Sequence, residues 1–287
     1  MARRKLTVFS KLLITLLIVG GLFFGYTYLK NNGYLEGLTD NGGGTEKPKK
    51  PAKKDKNADV INIGVVTWGG YAGGQYFNEG FEANTDSRFY KDYGFQVEFK
   101  ILDDFIASRK AFENDEVQLL WATVDAFPTE SGSLAGDPQV VFQADWSRGG
   151  DAVVVRRGIS KVSDLKGKKI AVAELTPSHS FLIWLLEAGG LTTNDVEIVT
   201  QPNAIDAAST FKAGQVDAAV VWSPDDQDCV DKVPGARVLE STRNASHIIA
   251  DVFLAKKDWA IENRDVLQQL YEGWMIGASE INQSDAN

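Results

Sequence analysis

The chain has 287 residues, 44% hydrophobic and 24% charged, enough for one large or two medium globular domains and unlike a disordered, collagen-like or disulfide-stapled sequence. Its single cysteine, Cys229, excludes an intramolecular bridge, so packing alone must hold the core. Charge is uneven: residues 1–58 carry 11 Lys+Arg against 4 Asp+Glu and residues 59–287 carry 19 against 35, so the acidic body would repel a phosphate backbone and nucleic acid is not an expected partner.

At the N-terminus, Arg3, Arg4, Lys5 and Lys11 precede an uncharged run over 12–29 that Lys30 closes. At 1.5 Å per residue such a run spans about 27 Å, close to the hydrocarbon thickness of a bilayer. The bulky Tyr26 and Tyr28 stand where a signal peptide would place small residues for cleavage. The expectation is an uncleaved transmembrane helix over residues 1–30, the N-terminus inside and the remainder periplasmic or extracellular. Residues 31–58 are rich in Gly, Pro and Lys with almost nothing apolar to bury, and read as a flexible linker.

From Val60 onward, short apolar runs alternate with amphipathic stretches, the pattern of parallel sheets with crossover helices. Strands are expected at 61–67, 96–102, 117–123, 140–144, 152–156, 169–173, 196–199, 218–222, 236–239 and 249–255. Helices are expected at 75–93, 178–188 and 262–281. A weak internal repeat lays Ala111-Phe112 through Trp121 over Thr210-Phe211 through Trp222, each a helix end followed by a strand that finishes near a tryptophan. Two similar α/β lobes follow from it.

In open parallel sheets, ligands sit beyond the carboxyl ends of strands. The residues there are Trp68 and Gly69, Trp121 and Thr123, Thr176 with Ser178 and His179, and Trp222. Tryptophan at these ends suits an aromatic wall for a small ligand. The Gly69-Gly70-Tyr71-Ala72-Gly73-Gly74 turn lacks the lysine of a phosphate-binding loop and the spacing of a dinucleotide fingerprint; a plain turn and a turn offering free N–H groups to a ligand both fit it. Thr176 or Ser178 reads as a helix cap. His179 and His247 are far apart, no Gly-x-Ser-x-Gly elbow exists, Cys229 has no CxxC partner, and metal-ligand spacing is absent, so neither catalysis nor a metal or cofactor is expected. Arg148, between two strands, suits either a surface salt bridge or a guanidinium that reaches a small anion.

The segments 145–159 (DWSRGGDAVVVRRGI), 162–172 (VSDLKGKKIAV), 214–224 (GQVDAAVVWSP) and 251–255 (DVFLA) resemble the solute-binding proteins of nitrate/sulfonate/taurine-type ABC importers. That resemblance implies a type II periplasmic-binding-protein fold, two lobes closing on a small solute and joined by crossing strands near 152–156 and 249–255. Lobe 1 would comprise 59–149 and 250–287, and lobe 2 residues 150–249. The cleft would be lined by Trp68, Gly69, Trp121, Thr123, Arg148, Thr176, Ser178, His179, Trp222 and Asp251, the last able to hold an amine or pair with an arginine. The implied function is capture of a small anionic or zwitterionic solute for an ABC permease. The same fold could instead serve ligand sensing or scaffolding in the cell envelope, or, less favoured, a pyrimidine-precursor-synthesis-like enzyme.

Overall fold

The computed structural model describes residues 60–284; the anchor expected at 1–30 and the linker at 31–58 lie outside them. Among the described residues, no helix is long and apolar enough to cross a membrane.

Among the described residues, ten strands form two five-stranded sheets. The first contains β1 (Val60–Val65), β2 (Gln96–Ile101), β3 (Leu119–Thr123), β4 (Gln139–Trp146) and β10 (Ala250–Ala255), in the order β2-β1-β3-β10-β4. The second contains β5 (Asp151–Val155), β6 (Lys169–Val172), β7 (Glu197–Thr200), β8 (Ala218–Trp222) and β9 (Arg237–Ser241), in the order β7-β6-β8-β5-β9. The orders match position for position. In each sheet, one strand, β10 or β5, runs against both its neighbours, while the pairs at the other edge are parallel. The two reversed strands are those that follow the chain's crossings between sheets. Their first residues therefore lie at the same rim as the last residues of the parallel strands.

Sequence explains the layering. The central strands β3, β5, β8 and β10 are buried along their whole length, as near-continuous apolar runs require when helices cover both faces. Helices α1 (Ala72–Phe77), α2 (Phe105–Glu113), α3 (Phe127–Glu130), α4 (Pro177–Ala188), α5 (Ala204–Lys212), α6 (Asp225–Lys232), α7 (Lys257–Glu262) and α8 (Arg264–Ser284) supply that cover. The first sheet's core joins Ile63, Leu119, Phe112, Phe253 and Trp274. The second sheet has one cluster on each face, around Phe181 and Leu186 and around Phe211 and Val221.

One expected helix, 75–93, is not continuous. Helix α1 stops at Phe77, and a single π turn, Phe89–Tyr93, follows only after an irregular stretch. Asn78 ends the first helix because its side-chain amide donates to the carbonyls of Gly80, Glu82 and Val97, fastening the loop to β2. The glycine-rich turn is explained by packing. A Cβ on Gly74 would overlap the Trp274 ring and one on Gly73 would press on Ala278, so these glycines let α1 lie directly against α8.

Candidate functional site

The chain passes from the first sheet to the second through residues 147–150 and returns through 242–249, and side-chain and backbone bonds tie the two passages together. Ser147 N donates to Ile249 O at 3.0 Å, and Thr242 N donates to Asp151 O at 3.0 Å. Thr242 Oγ1 in turn accepts from Gly149 N at 2.8 Å and Asp151 N at 3.2 Å.

Three indoles gather at the facing rims. Trp222, at the end of β8, meets Trp121, on β3, edge to face at 6.4 Å between ring centroids, and Trp68 at 6.0 Å. The two tryptophans of the internal repeat thus touch each other across the sheets. Together with Val66, Asp151, Pro177, Ile249 and Asp251 they line a narrow crevice of about 10 Å³, room for about one water or a group of that size. At Trp68 and Trp222 it abuts a wider vestibule of about 370 Å³, lined also by Gly69, Phe81, Ile101 and Ile205.

Carboxylates dominate the polar lining. Asp251 pairs in register with Thr123 on one side and Asp145 on the other, and Asp151 pairs with Trp222. Tyr71 Oη donates to Asp251 Oδ1 at 2.9 Å, Trp68 Nε1 donates to Asp145 Oδ2 at 3.2 Å, and Ser147 Oγ donates to Asp151 Oδ2 at 2.5 Å. Asp151 is 1% exposed and Asp251 5%. Burial pushes the Asp151 carboxyl up to about 7 and holds Asp251 well above the usual carboxylate range, each raised further by neighbouring carboxylates. Burial also raises Asp125 and Asp145, and holds the Tyr71 phenol well up, reinforced by Asp251.

Several buried polar atoms here have no hydrogen-bond partner: Asp151 Oδ1, Trp121 Nε1, Thr123 Oγ1 and Ser178 Oγ. The Trp222 indole lies close to Asp151 but delivers no donor to Oδ1 in bonding geometry. Unsatisfied buried atoms cost about 1–3 kcal/mol each, and a bound molecule is one way to recover that.

The nearest buried cation is already engaged. Arg109 lies over the Trp121 ring at 4.6 Å and over Phe105 at 4.0 Å, and gives Glu130 two parallel bonds, Nε to Oε2 at 2.8 Å and a terminal nitrogen to Oε1 at 2.7 Å. It backs the indole wall and does not enter the crevice.

Of the residues expected at the cleft, Trp68, Trp121, Trp222 and Asp251 line the crevice, and Gly69 lines the vestibule. Thr123 is buried beside Asp251 at the end of β3. Thr176 spends its hydroxyl on Ala173 O at 2.6 Å and does not cap α4 with it, whereas Ser178 is buried with its hydroxyl free. His179 is half-buried, its Nδ1 accepting from Leu175 N at 3.4 Å. Arg148 is exposed and lines a separate groove along β4 with Tyr271 and Met275. Sequence reading missed Asp151, Asp145 and Tyr71. The signal available for Asp151 was its place immediately before the apolar run 152–155, on a strand that runs backwards, so that its start and not its end reaches the rim.

Cys229 is buried and its thiol is pushed up to about 11 by burial, which makes it inert as a nucleophile. Among the described residues, no group of three or more His, Cys, Asp or Glu side chains is placed to hold a metal ion.

Comparison with known proteins adds to this geometry. Residues 88–282 match the family described as NMT1/THI5 like. A taurine-binding periplasmic protein of Escherichia coli K12 is 30% identical over 191 residues, covering 65% of this chain and 58% of that protein. A putative aliphatic sulfonates-binding protein of the same organism is 38% identical over 66 residues, 23% of this chain and 20% of its own length. The chain thus spans little more than half the length of the first of these relatives. Among solved structures, the alkanesulfonate-binding protein from Xanthomonas axonopodis pv. citri bound to MOPS superposes with a TM-score of 0.64 at 19% identity, covering 79% of this chain and 75% of its own. The nitrate-binding protein from Synechocystis PCC 6803 superposes with a TM-score of 0.60 at 14% identity, covering 76% and 60%. At these identities, the superpositions establish the fold.

Proposed function

Because this chain belongs to the NMT1/THI5-like family, homologous to periplasmic solute-binding proteins of ABC importers, we propose that it is an extracytoplasmic solute-binding protein, tethered to the cell membrane by residues 1–30. It captures a small charged solute between two lobes, 59–149 with 250–287 and 150–249, and delivers it to an ABC permease. The observation that carries this reading is the meeting of Trp121 and Trp222 over the buried Asp151 and Asp251, at facing rims of two sheets with the same strand order. A solute touching both rims would favour the closed state by its differential contacts.

The binding residues in this reading are Trp68, Trp121, Trp222, Asp151 and Asp251, supported by Thr123 and Ser178, with Gly69 at the entrance. Between an anion and a zwitterion of the taurine type, the acidic lining favours the zwitterion. No catalytic group is required; the work is done by the change in population between open and closed forms. Native mass spectrometry of the full chain purified from its own host tests the proposal. A retained solute at one per chain supports it, and a bare chain that also takes up no member of a small-solute library argues against it.

A further inference from the structure

The crevice brings buried carboxyl groups together where a ligand would have to sit. Asp151 and Asp251 face it from the starts of the two reversed strands, Asp145 stands beside Asp251 across the β4–β10 pair, and Asp125 follows β3. Like charges placed opposite each other in a sheet repel. No arginine or lysine side chain lines the crevice: Arg109 is held by Glu130 behind Trp121, and Arg148 lies in the outer groove. Two features beside the charge point to a guest that donates hydrogen bonds. Asp151 Oδ1, 1% exposed, has no partner, and the indoles of Trp68, Trp121 and Trp222 line the same crevice.

We infer that the solute carries an organic ammonium group, seated between Asp151 and Asp251 and enclosed by the indoles of Trp68, Trp121 and Trp222, with the rest of the molecule leading past Trp68 into the vestibule. This rests on the reading of the crevice as the solute site and deepens it. An ammonium answers both parts of the lining, because carboxylates accept its hydrogen bonds and indole rings attract cations through their quadrupole. The vestibule at Phe81, Ile101 and Ile205 is wide and largely apolar, so it suits the carbon chain of such a solute. Without such a cation, the carboxylates can come together only by keeping protons. Ammonium binding therefore displaces protons, and affinity rises with pH between about 6 and 8. The charged and titratable groups that bear on Asp151 and Asp251 are Asp125, Asp145 and Tyr71, with Arg109 acting on Tyr71 and Arg148 on Asp145.

Calorimetry of the full chain at pH 8 with butylamine and with butane-1-sulfonate, which share a four-carbon tail, tests the assignment. Butylamine is expected to bind at least tenfold more tightly. Asp151→Asn should weaken it at least tenfold while keeping a cooperative melt, and Ile205→Ser should weaken hexylamine more than methylamine. Heat from the sulfonate alone, or an Asp151→Asn variant that binds butylamine as well as the parent does, overturns the ammonium assignment and leaves solute binding standing. No heat from either compound, with a solute still retained in native mass spectrometry, also overturns the assignment alone. No heat and no retained solute removes both.

Discussion

Ser147 Oγ donates a 2.5 Å hydrogen bond to Oδ2 of Asp151, and the same hydroxyl lies 2.8 Å from Thr242 Oγ1 on the returning passage. The crossing between sheets and the floor of the crevice therefore share one carboxylate. Ser147→Ala removes the bond that lowers the Asp151 pKa, so the carboxyl keeps its proton to higher pH. Affinity for an ammonium solute should fall roughly three- to tenfold at pH 7 and recover toward the parent value by pH 9, and stability should fall by about 1–3 kcal/mol. Calorimetry across that pH range and urea melts check the two effects separately.

Acid should stabilise the solute-free protein. Asp151 titrates near 7 in the folded chain and near 3.8 when unfolded, so between these values the folded state holds more protons. That contribution is fully present below about pH 4 and is lost as pH rises through about 7, amounting to roughly 4 kcal/mol at most. Asp251, Asp145 and Asp125 act in the same direction. The lowered carboxyls of Asp164, Asp195 and Asp228 act with the opposite sign, but only below about pH 4. Melting temperature is expected to be higher at pH 5 than at pH 8, and Asp151→Asn should flatten that slope.

Gly150 holds the Trp68 ring close to the backbone of the crossing passage, and a methyl there would overlap the ring. Gly150→Ala should displace Trp68 from Trp222 and from its bond to Asp145, costing binding at least tenfold while the sheets remain intact. Indole fluorescence and a thermal melt distinguish this from unfolding.

The Arg109–Glu130 pair offers a contrast. Both side chains are nearly buried, so Glu130→Ala leaves an unpaired guanidinium behind Trp121 and should cost about 3–5 kcal/mol. Denaturant midpoints check this. A loss below 1 kcal/mol would mean that water reaches the pair and that the wall behind Trp121 is open.

Much of the architecture was legible because it is written in apolar runs. The strands at 119–123, 151–155, 218–222 and 250–255, buried along their whole length, were marked by the apolar runs at 117–123, 152–156, 218–222 and 249–255. The repeat around Trp121 and Trp222 gave the paired rims. The site was read less completely because its chemistry is long-range. Asp151, Asp145 and Tyr71 look like ordinary loop or turn residues until partners distant in the sequence, such as Asp251 for Tyr71 and Thr242 for the Ser147–Asp151 pair, come beside them. Arg148 drew attention by standing between strands, yet it lies on the outer edge. The helix over 75–93 failed because spacing registers Tyr76 and Phe81, both exposed, but not the side-chain bonds by which Asn78 ends it.

In the proposed function, two separate shells close on a small solute held at Asp151, Asp251 and the three indoles. Pulsed electron spin resonance on the full chain, with spin labels introduced by Glu82→Cys on the first-sheet side and Ser209→Cys on the second and with Cys229→Ser removing the native thiol, reads the separation of those shells. Adding butylamine at pH 8 should narrow a broad set of distances to a single short one, and Asp151→Asn should abolish that change. One sharp distance that stays the same with and without solute would show a rigid body and contradict the account.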